Sequence, residues 1–123
     1  MRQTQITQST DSELVAEFAA FAKERGAAVL DLDAHRANIL FDRMRAIDRE
    51  LRARGRDARL ALAPLLDDPD RFVRFYAAVY LLGLLPDKSR AVMEWNAKYG
   101  GGSIAADARR FLRGLDGGTY KPD

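Results

Sequence analysis

The stretch that decides the fold runs from Ala63 to Leu82 and reads APLLDDPDRFVRFYAAVYLL. Its second half is apolar almost all round, which is typical of a buried helix, and we predict that helix from Pro69 to Leu85. The Asp-Asp-Pro-Asp segment ends one helix and begins the next, because Pro fits a first turn and acids favour the positive helix end. Pro64 lies inside the preceding helix, lacks a backbone N–H and predicts a kink. The stretch therefore predicts two consecutive helices joined by a tight turn.

The composition of the whole chain extends the helical prediction in both directions. Ala occurs 20 times and Leu 15 times, whereas Val and Ile occur 5 and 4 times. Ala and Leu lose little freedom in a helix, whereas β-branched residues lose side-chain rotamers there. The chain has 123 residues, enough for one domain, and 47% of them are hydrophobic, enough for a core. We predict an all-α protein.

Apolar spacing and end signals place six helices along the chain. Thr10 and Glu13 have the spacing of a capping box at the start of the first helix. Six helices with short connections pair naturally as three antiparallel hairpins. These hairpins form either a short stack or a compact α-bundle with the same geometry. Residues 11–115 are expected to form a single helical domain, between a disordered arm over residues 1–10 and a flexible tail over residues 116–123. The predicted helices cover residues 11–30, 33–55, 57–66, 69–85, 87–98 and 103–115.

The stretch from Ala63 to Leu82 resembles one HEAT-like helical repeat. The shared features are a Pro in the first helix, the Asp-Pro-Asp turn, Val73 and Arg74 opening the second helix, and an Ala-Ala pair. In that family the Arg and the turn Asp are structural. Arg74 lies beside the turn, so we expect it to bind backbone carbonyls or the acids Asp67 and Asp68.

The chain from Leu14 to Leu115 is also similar to a family of small bacterial proteins known as a domain of unknown function. The resemblance rests on the segment NILFDRM at residues 38–44, on Ile47, on the repeat described above and on a short closing hairpin. This family implies a HEAT-like α-α superhelix. It implies no activity.

Charge is nearly balanced over the chain but concentrated in one helix. Lys and Arg number 20 against 18 acids, a net charge of +2, and residues 43–59 contain seven Arg and three acids. Arg45, Arg49 and Arg52 follow one helical face. This face is either solvated and crossed by i,i+4 ion pairs, or a recognition face for an acidic protein or a phosphate backbone. No aromatic residue alternates with these Arg, so nucleic acid is the less expected partner. The i,i+4 pairs are Asp48 with Arg52 and Glu50 with Arg54.

The helix predicted at residues 69–85 has two apolar faces, and the second of them allows two interpretations. Either the helix is central and both faces are packed, or the second face is partly exposed and contacts a partner or another copy. Trp95 is a further candidate anchor, with Tyr99 beside it, because amphipathic aromatic rings often dominate interfaces. The second face consists of Phe72, Phe75, Val79 and Leu82.

Residues that carry catalytic or metal-binding chemistry are sparse in this sequence. There is no Cys, and the single histidine, His35, has Asp31 and Asp33 nearby but no second His to complete a metal site. No apolar run approaches the ~18 residues of a membrane span, and the N-terminus lacks a signal-peptide core. We therefore expect a cytoplasmic protein without enzymatic activity, metal, cofactor or membrane span.

The function expected from the sequence is a non-enzymatic protein-interaction module that binds another protein or itself. Two alternatives remain open at this point. One is a nucleic-acid-binding domain that uses the Arg-rich helix. The other is a small-ligand carrier or enzyme with a pocket between hairpins.

Overall fold

The computed structural model describes residues 3–123, with side chains from residue 6 onward. No strand occurs in this part of the chain, so the all-α prediction is confirmed. The elements are α1 (Gln3–Gln8), α2 (Asp11–Leu30), α3 (Ala34–Arg54), α4 (Arg56–Leu60), a 3-10 helix (Ala63–Asp67), α5 (Arg71–Leu81), α6 (Pro86–Tyr99) and α7 (Gly102–Gly117).

The chain divides into two compact units, Met1–Ala63 and Pro64–Asp123. The first unit is built on α2 and α3, which pack against each other. The capping box predicted for α2 is present: the Thr10 amide donates to Glu13 Oε1 at 2.8 Å, and the Glu13 amide donates to Thr10 Oγ1 at 3.1 Å. Asp33 caps α3 by accepting a hydrogen bond from the Arg36 amide. Both long helices therefore begin at the residues that their capping side chains predict.

The core of the first unit follows the apolar spacing of α2 and α3. Most of their buried residues recur every three or four positions, the spacing that places side chains on one helical face. The largest fully buried side chains on the two helices are Leu14, Phe18, Met44, Ile47 and Leu51.

Helix α1 lies within the segment that the sequence predicts to be a disordered arm. Residues 1 and 2 lie outside the described residues, but Gln3–Gln8 are helical and Ile6 is buried. Arg54 Nη2 donates to the carbonyl of Ile6 at 3.0 Å, and its Nη1 donates to Asp11 Oδ1 at 2.9 Å. A cation on the last carbonyls of a helix satisfies groups that have no partner within the helix. No local sequence pattern predicts this contact, because Arg54 is 48 residues from Ile6 along the chain.

The predicted helix at residues 57–66 is broken into two short pieces. Helix α4 ends at Leu60, and the 3-10 helix begins at Ala63. Pro64 explains the break, because it cannot donate a hydrogen bond to the carbonyl of Leu60, four residues earlier, and its ring crowds that carbonyl. The kink expected at Pro64 is thus a full interruption. The HEAT-like superhelix stays a prediction, since the middle hairpin has no complete first helix.

The second unit consists mainly of α5, α6 and α7, with α6 packed against both of the others. Asp70 caps α5 by accepting hydrogen bonds from the amides of Phe72 and Val73 at 2.8 and 3.2 Å. Helix α5 ends at Leu81, four residues earlier than predicted. Pro86 disfavours a helical conformation at Leu85, where φ is −130° and ψ is 65°. The chain therefore leaves the helical conformation before it reaches Pro86, which begins α6.

The chain after α7 folds back along that helix. The Tyr120 ring lies 5.3 Å from the Phe111 ring, measured between centroids, and the Tyr120 amide donates to the carbonyl of Gly114. A Cβ at Gly114 would lie 3.0 Å from Tyr120 Cβ, so a glycine allows this close approach. Helix α7 continues to Gly117, and the flexibility expected for residues 116–123 stays a prediction.

Candidate functional site

The second apolar face of α5 is largely buried. Phe75 and Leu82 are each 2% exposed, Phe72 is 5% exposed, and Val79 is half-buried. The Phe75 ring makes an edge-to-face contact with Phe111 of α7 at 6.0 Å. The interpretation of this face as an exposed patch is therefore wrong. Both faces of α5 are packed, because seven of its eleven residues are buried.

Helix α3, which carries the Arg-rich face, contains two ion pairs between residues four positions apart. Arg52 Nε lies 2.7 Å from Asp48 Oδ2, and Arg54 Nε lies 2.8 Å from Glu50 Oε2, so both predicted i,i+4 pairs are present. Arg45 and Arg49 are exposed, but the charge of Arg52 is matched by a carboxylate with 10% exposure. The Asp48–Arg52 pair lowers the positive potential along this face, which favours the interpretation as a solvated, ion-paired surface. At 100° per residue, Glu50 and Arg54 lie on the other side of α3.

Trp95 is 43% exposed, and the helical phase of α6 explains why. The inner face of α6 is occupied by Ser89, Met93 and Asn96, each 0% exposed. At 100° per residue, Trp95 lies about 200° around the helix from Met93 and so points away from the interior. Tyr99 follows one turn later, and its ring lies 5.6 Å from the Trp95 ring. The exposed side of α6 therefore carries an aromatic pair.

Arg74 of α5 holds Trp95 in place. Its guanidinium carbon lies 4.7 Å from the centroid of the Trp95 ring, within the range of a cation–π contact. Arg74 Nη1 also donates to the carbonyls of Asp68 at 2.7 Å and Pro69 at 3.1 Å. Of the two contacts expected for Arg74, the structure shows the carbonyl contact. Because its hydrogen-bond acceptors are neutral carbonyls, Arg74 brings a positive charge to the surface beside Trp95.

A groove of about 560 Å³ lies beside Trp95. Leu66 of the 3-10 helix borders the groove and is itself buried, and α6 contributes residues spaced at i, i+3, i+4 and i+7. We call this feature the Trp95 groove. It is lined by Leu66, Asp67, Arg74, Lys88, Ala91, Val92 and Trp95.

The rim of the Trp95 groove carries more positive than negative charge. Arg74 and Lys88 contribute two cations and Asp67 one acid, a net charge of 2 − 1 = +1. Lys88 Nζ lies 3.2 Å from Asp67 Oδ2, but their side chains are 58% and 72% exposed. An ion pair that exposed contributes ~0–1 kcal/mol, so a carboxylate from a ligand competes with it readily. Lys98 lies beyond the groove on the same helix, over the ring of Tyr99.

Two other exposed apolar features lie in the first unit. Leu30, at the end of α2, is 64% exposed, and Leu32, in the loop between α2 and α3, is 91% exposed. Phe41 of α3 is 36% exposed and lies between two guanidinium groups, those of Arg25 at 5.2 Å and Arg45 at 5.8 Å. The sequence motifs named above include none of these apolar side chains as a site.

Groups with metal-binding or acid–base chemistry are not gathered into a site in the described part of the chain. No cluster of three or more His, Asp or Glu side chains there is arranged to hold a metal ion. His35 is exposed in the first turn of α3. No helix among residues 3–123 combines the length and the apolarity that crossing a bilayer requires.

Only some of the residues that line the Trp95 groove can be predicted from the sequence. Trp95 and Arg74 can be selected from residue type and from the repeat pattern. Lys88, Ala91 and Val92 share the i, i+3, i+4 and i+7 spacing with Trp95, but the same spacing describes a buried face equally well. What separates the two cases is the orientation of α6, which Met93 and its buried neighbours determine.

Comparison with known proteins identifies relatives at the level of family and fold. A family model described as "Domain of unknown function (DUF2019)" matches residues 12–116. The crystal structure of the protein RPA1889 from Rhodopseudomonas palustris CGA009 is similar, with a TM-score of 0.90 and 38% sequence identity. The similarity covers 96% of this chain and 98% of that chain. No curated protein matches.

Proposed function

This chain belongs to the family described as a domain of unknown function (DUF2019), and we propose that it is a non-enzymatic, cytoplasmic protein-interaction module. Its binding site is the Trp95 groove. The observation that carries this proposal is the half-exposed Trp95, oriented by Arg74 at 4.7 Å and lining a groove of about 560 Å³. A tryptophan held before the partner arrives loses little conformational entropy on binding, which is typical of an interface hot spot.

The chemistry of the groove selects a class of ligand. Ala91, Val92 and Trp95 offer apolar surface, which favours an aliphatic or aromatic side chain. Arg74 and Lys88 on the rim favour a carboxylate next to that side chain. The ligand expected from this pairing is a protein segment with an apolar anchor flanked by Asp or Glu.

The comparison of the two cationic surfaces supports a protein ligand over a nucleic acid. The Arg-rich face of α3 includes Asp48, whose carboxylate pairs with Arg52, so its cations do not form an unbroken row for a phosphate backbone. The Trp95 groove combines one ring with apolar walls, which suits a side chain better than a phosphate.

Selection from a displayed library of random twelve-residue peptides tests this proposal. We expect peptides that pair Leu, Ile or Phe with Asp or Glu to be enriched on the wild-type protein. Trp95→Ala is expected to weaken their binding by about 30-fold or more, the effect of losing a hot-spot residue. Phe41→Ala is the matched control, because it removes an exposed aromatic ring outside the groove.

Charge reversal provides a second, independent arm of the same experiment. Lys88→Glu is expected to weaken binding about tenfold, whereas Lys23→Glu makes the same charge change on an exposed residue of α2 and leaves binding unchanged. Enriched peptides without an acidic and apolar preference would contradict the proposal. So would equal binding to the wild type and the Trp95→Ala variant, provided that circular dichroism shows both to be folded.

A further inference from the structure

The loop between α2 and α3 carries an apolar residue in a costly conformation. Leu32 has φ of +58°, the only non-glycine residue with positive φ among the described residues, and it is 91% exposed. The left-handed conformation disfavours side chains with a Cβ, and glycine is the usual residue there. At 91% exposure the Leu32 side chain is almost uncovered within the unit, so its apolar surface is free to contact a partner.

The local geometry explains why the chain adopts this conformation. The Leu32 amide donates to the carbonyl of Val29, and the Asp33 amide donates to the carbonyl of Ala28. These hydrogen bonds terminate α2 in the manner of a Schellman motif, with Leu32 at the position that glycine normally takes. The cap fixes the backbone, so the Leu32 side chain projects from a well-defined position.

The residues around Leu32 give this loop the same chemistry that the Trp95 groove is proposed to recognise. Leu30 is 64% exposed, and the exposed acids Asp31 and Asp33 flank Leu32 on either side. We call residues 30–33 the Leu32 tip. It is an apolar pair with a charge of −2, and the groove has apolar walls and a rim charge of +1.

We propose that the Leu32 tip of one copy of this chain binds in the Trp95 groove of a second copy. This inference rests on the proposed function of the groove and names its ligand. The Leu32 side chain packs against Trp95, and the flanking aspartates lie near Arg74 and Lys88. A groove of about 560 Å³ is large enough for Leu30 and Leu32 together.

The contact surface is small, so the association is weak. A loop of four residues buries well below the ~1,200 Å² of stable protein complexes, which places the dissociation constant on the order of 0.1 mM. The two contacting surfaces differ from each other, as in a heterologous interface. A variant that lacks the Leu32 tip and a variant that lacks the Trp95 groove can therefore associate with each other in a mixture.

Sedimentation equilibrium between 10 µM and 1 mM tests the proposal with the full chain. We expect the average mass of the wild type to rise above the 13.8 kDa of one chain. Leu32→Gly and Trp95→Ala each stay monomeric, and their equimolar mixture recovers association. Ile39→Ala and Phe41→Ala are the controls, because each shortens an exposed apolar side chain outside both surfaces and leaves the wild-type behaviour intact.

Leu32→Gly also separates loss of contact from loss of folding. Glycine relieves the left-handed strain, so the melting temperature of this variant rises by ~3–6 °C while association is lost. A mixture of the two variants that stays monomeric, or a Leu32→Gly variant that associates like the wild type, would overturn the inference. A wild type that is monomeric at 1 mM would overturn it as well. If library peptides still bind the groove in that case, only the self-association fails, and if they do not, the proposed function fails with it.

Discussion

Replacing Phe75 by Ala tests whether the second apolar face of α5 belongs to the core. Phe75 is 2% exposed, and its ring contacts Tyr76 at 5.5 Å and Phe111 at 6.0 Å between centroids. Removing a buried phenyl ring loses its transfer free energy and leaves a cavity, so we expect the free energy of unfolding to fall by ~3–5 kcal/mol. Native domains have only ~5–15 kcal/mol in total, so this loss is a large fraction of the stability of the protein.

Urea denaturation followed by circular dichroism at 222 nm measures this loss. Ile39→Ala is the control, because Ile39 is 41% exposed and its truncation is expected to change stability by no more than ~0.5 kcal/mol. A loss below ~1 kcal/mol for Phe75→Ala would refute the reasoning. That result would mean that the face of α5 is accessible, as an interaction patch requires.

Three further predictions concern helix ends. Leu32→Gly is expected to raise the free energy of unfolding by ~1 kcal/mol, measured by urea denaturation, because glycine tolerates φ of +58°; no gain would show that the left-handed position is unstrained. Asp70→Ala is expected to lower stability by ~1 kcal/mol in the same assay, because the amides of Phe72 and Val73 lose their acceptor; an unchanged midpoint would show that the cap is dispensable. Hydrogen bonds from the Thr10 backbone amide and hydroxyl lower the pKa of Glu13 below its usual value of 4.5. The Glu13 carboxylate therefore stabilises the folded protein above that pH, and this stabilisation is lost as the pH falls through the lowered pKa. The stability difference between wild type and Glu13→Gln should therefore disappear in acid, and a difference that persists at pH 2 would contradict this assignment.

The helix starts were predictable where local chemistry decides them. The capping box at Thr10 and the cap at Asp33 depend on side chains within three residues, so the start of each long helix could be read directly. The break at Pro64 was predictable for the same reason, although its extent was not. Helix α1 was not predictable, because its contact with Arg54 joins residues 48 positions apart.

The candidate site was predictable only in part, because exposure is a tertiary property. A helix with two apolar faces, such as α5, is compatible with both a central position and an exposed patch, and the sequence alone cannot separate the two. Trp95 was selected by residue type, and its exposure depends on the orientation of α6. The Leu32 tip was invisible, since positive φ is ordinarily inferred from Gly or Asn and Leu gives no such indication.

The most direct test of the Trp95 groove uses its own tryptophan, which is the only one in the chain. A capped synthetic peptide with the sequence of residues 28–36, AVLDLDAHR, is titrated into the protein while Trp95 emission is recorded. We expect a saturable blue shift with a dissociation constant on the order of 0.1 mM, absent with a peptide in which both leucines are replaced by serine. Emission that does not change up to 1 mM peptide, or that changes equally with the serine peptide, would contradict binding of the Leu32 tip in the Trp95 groove.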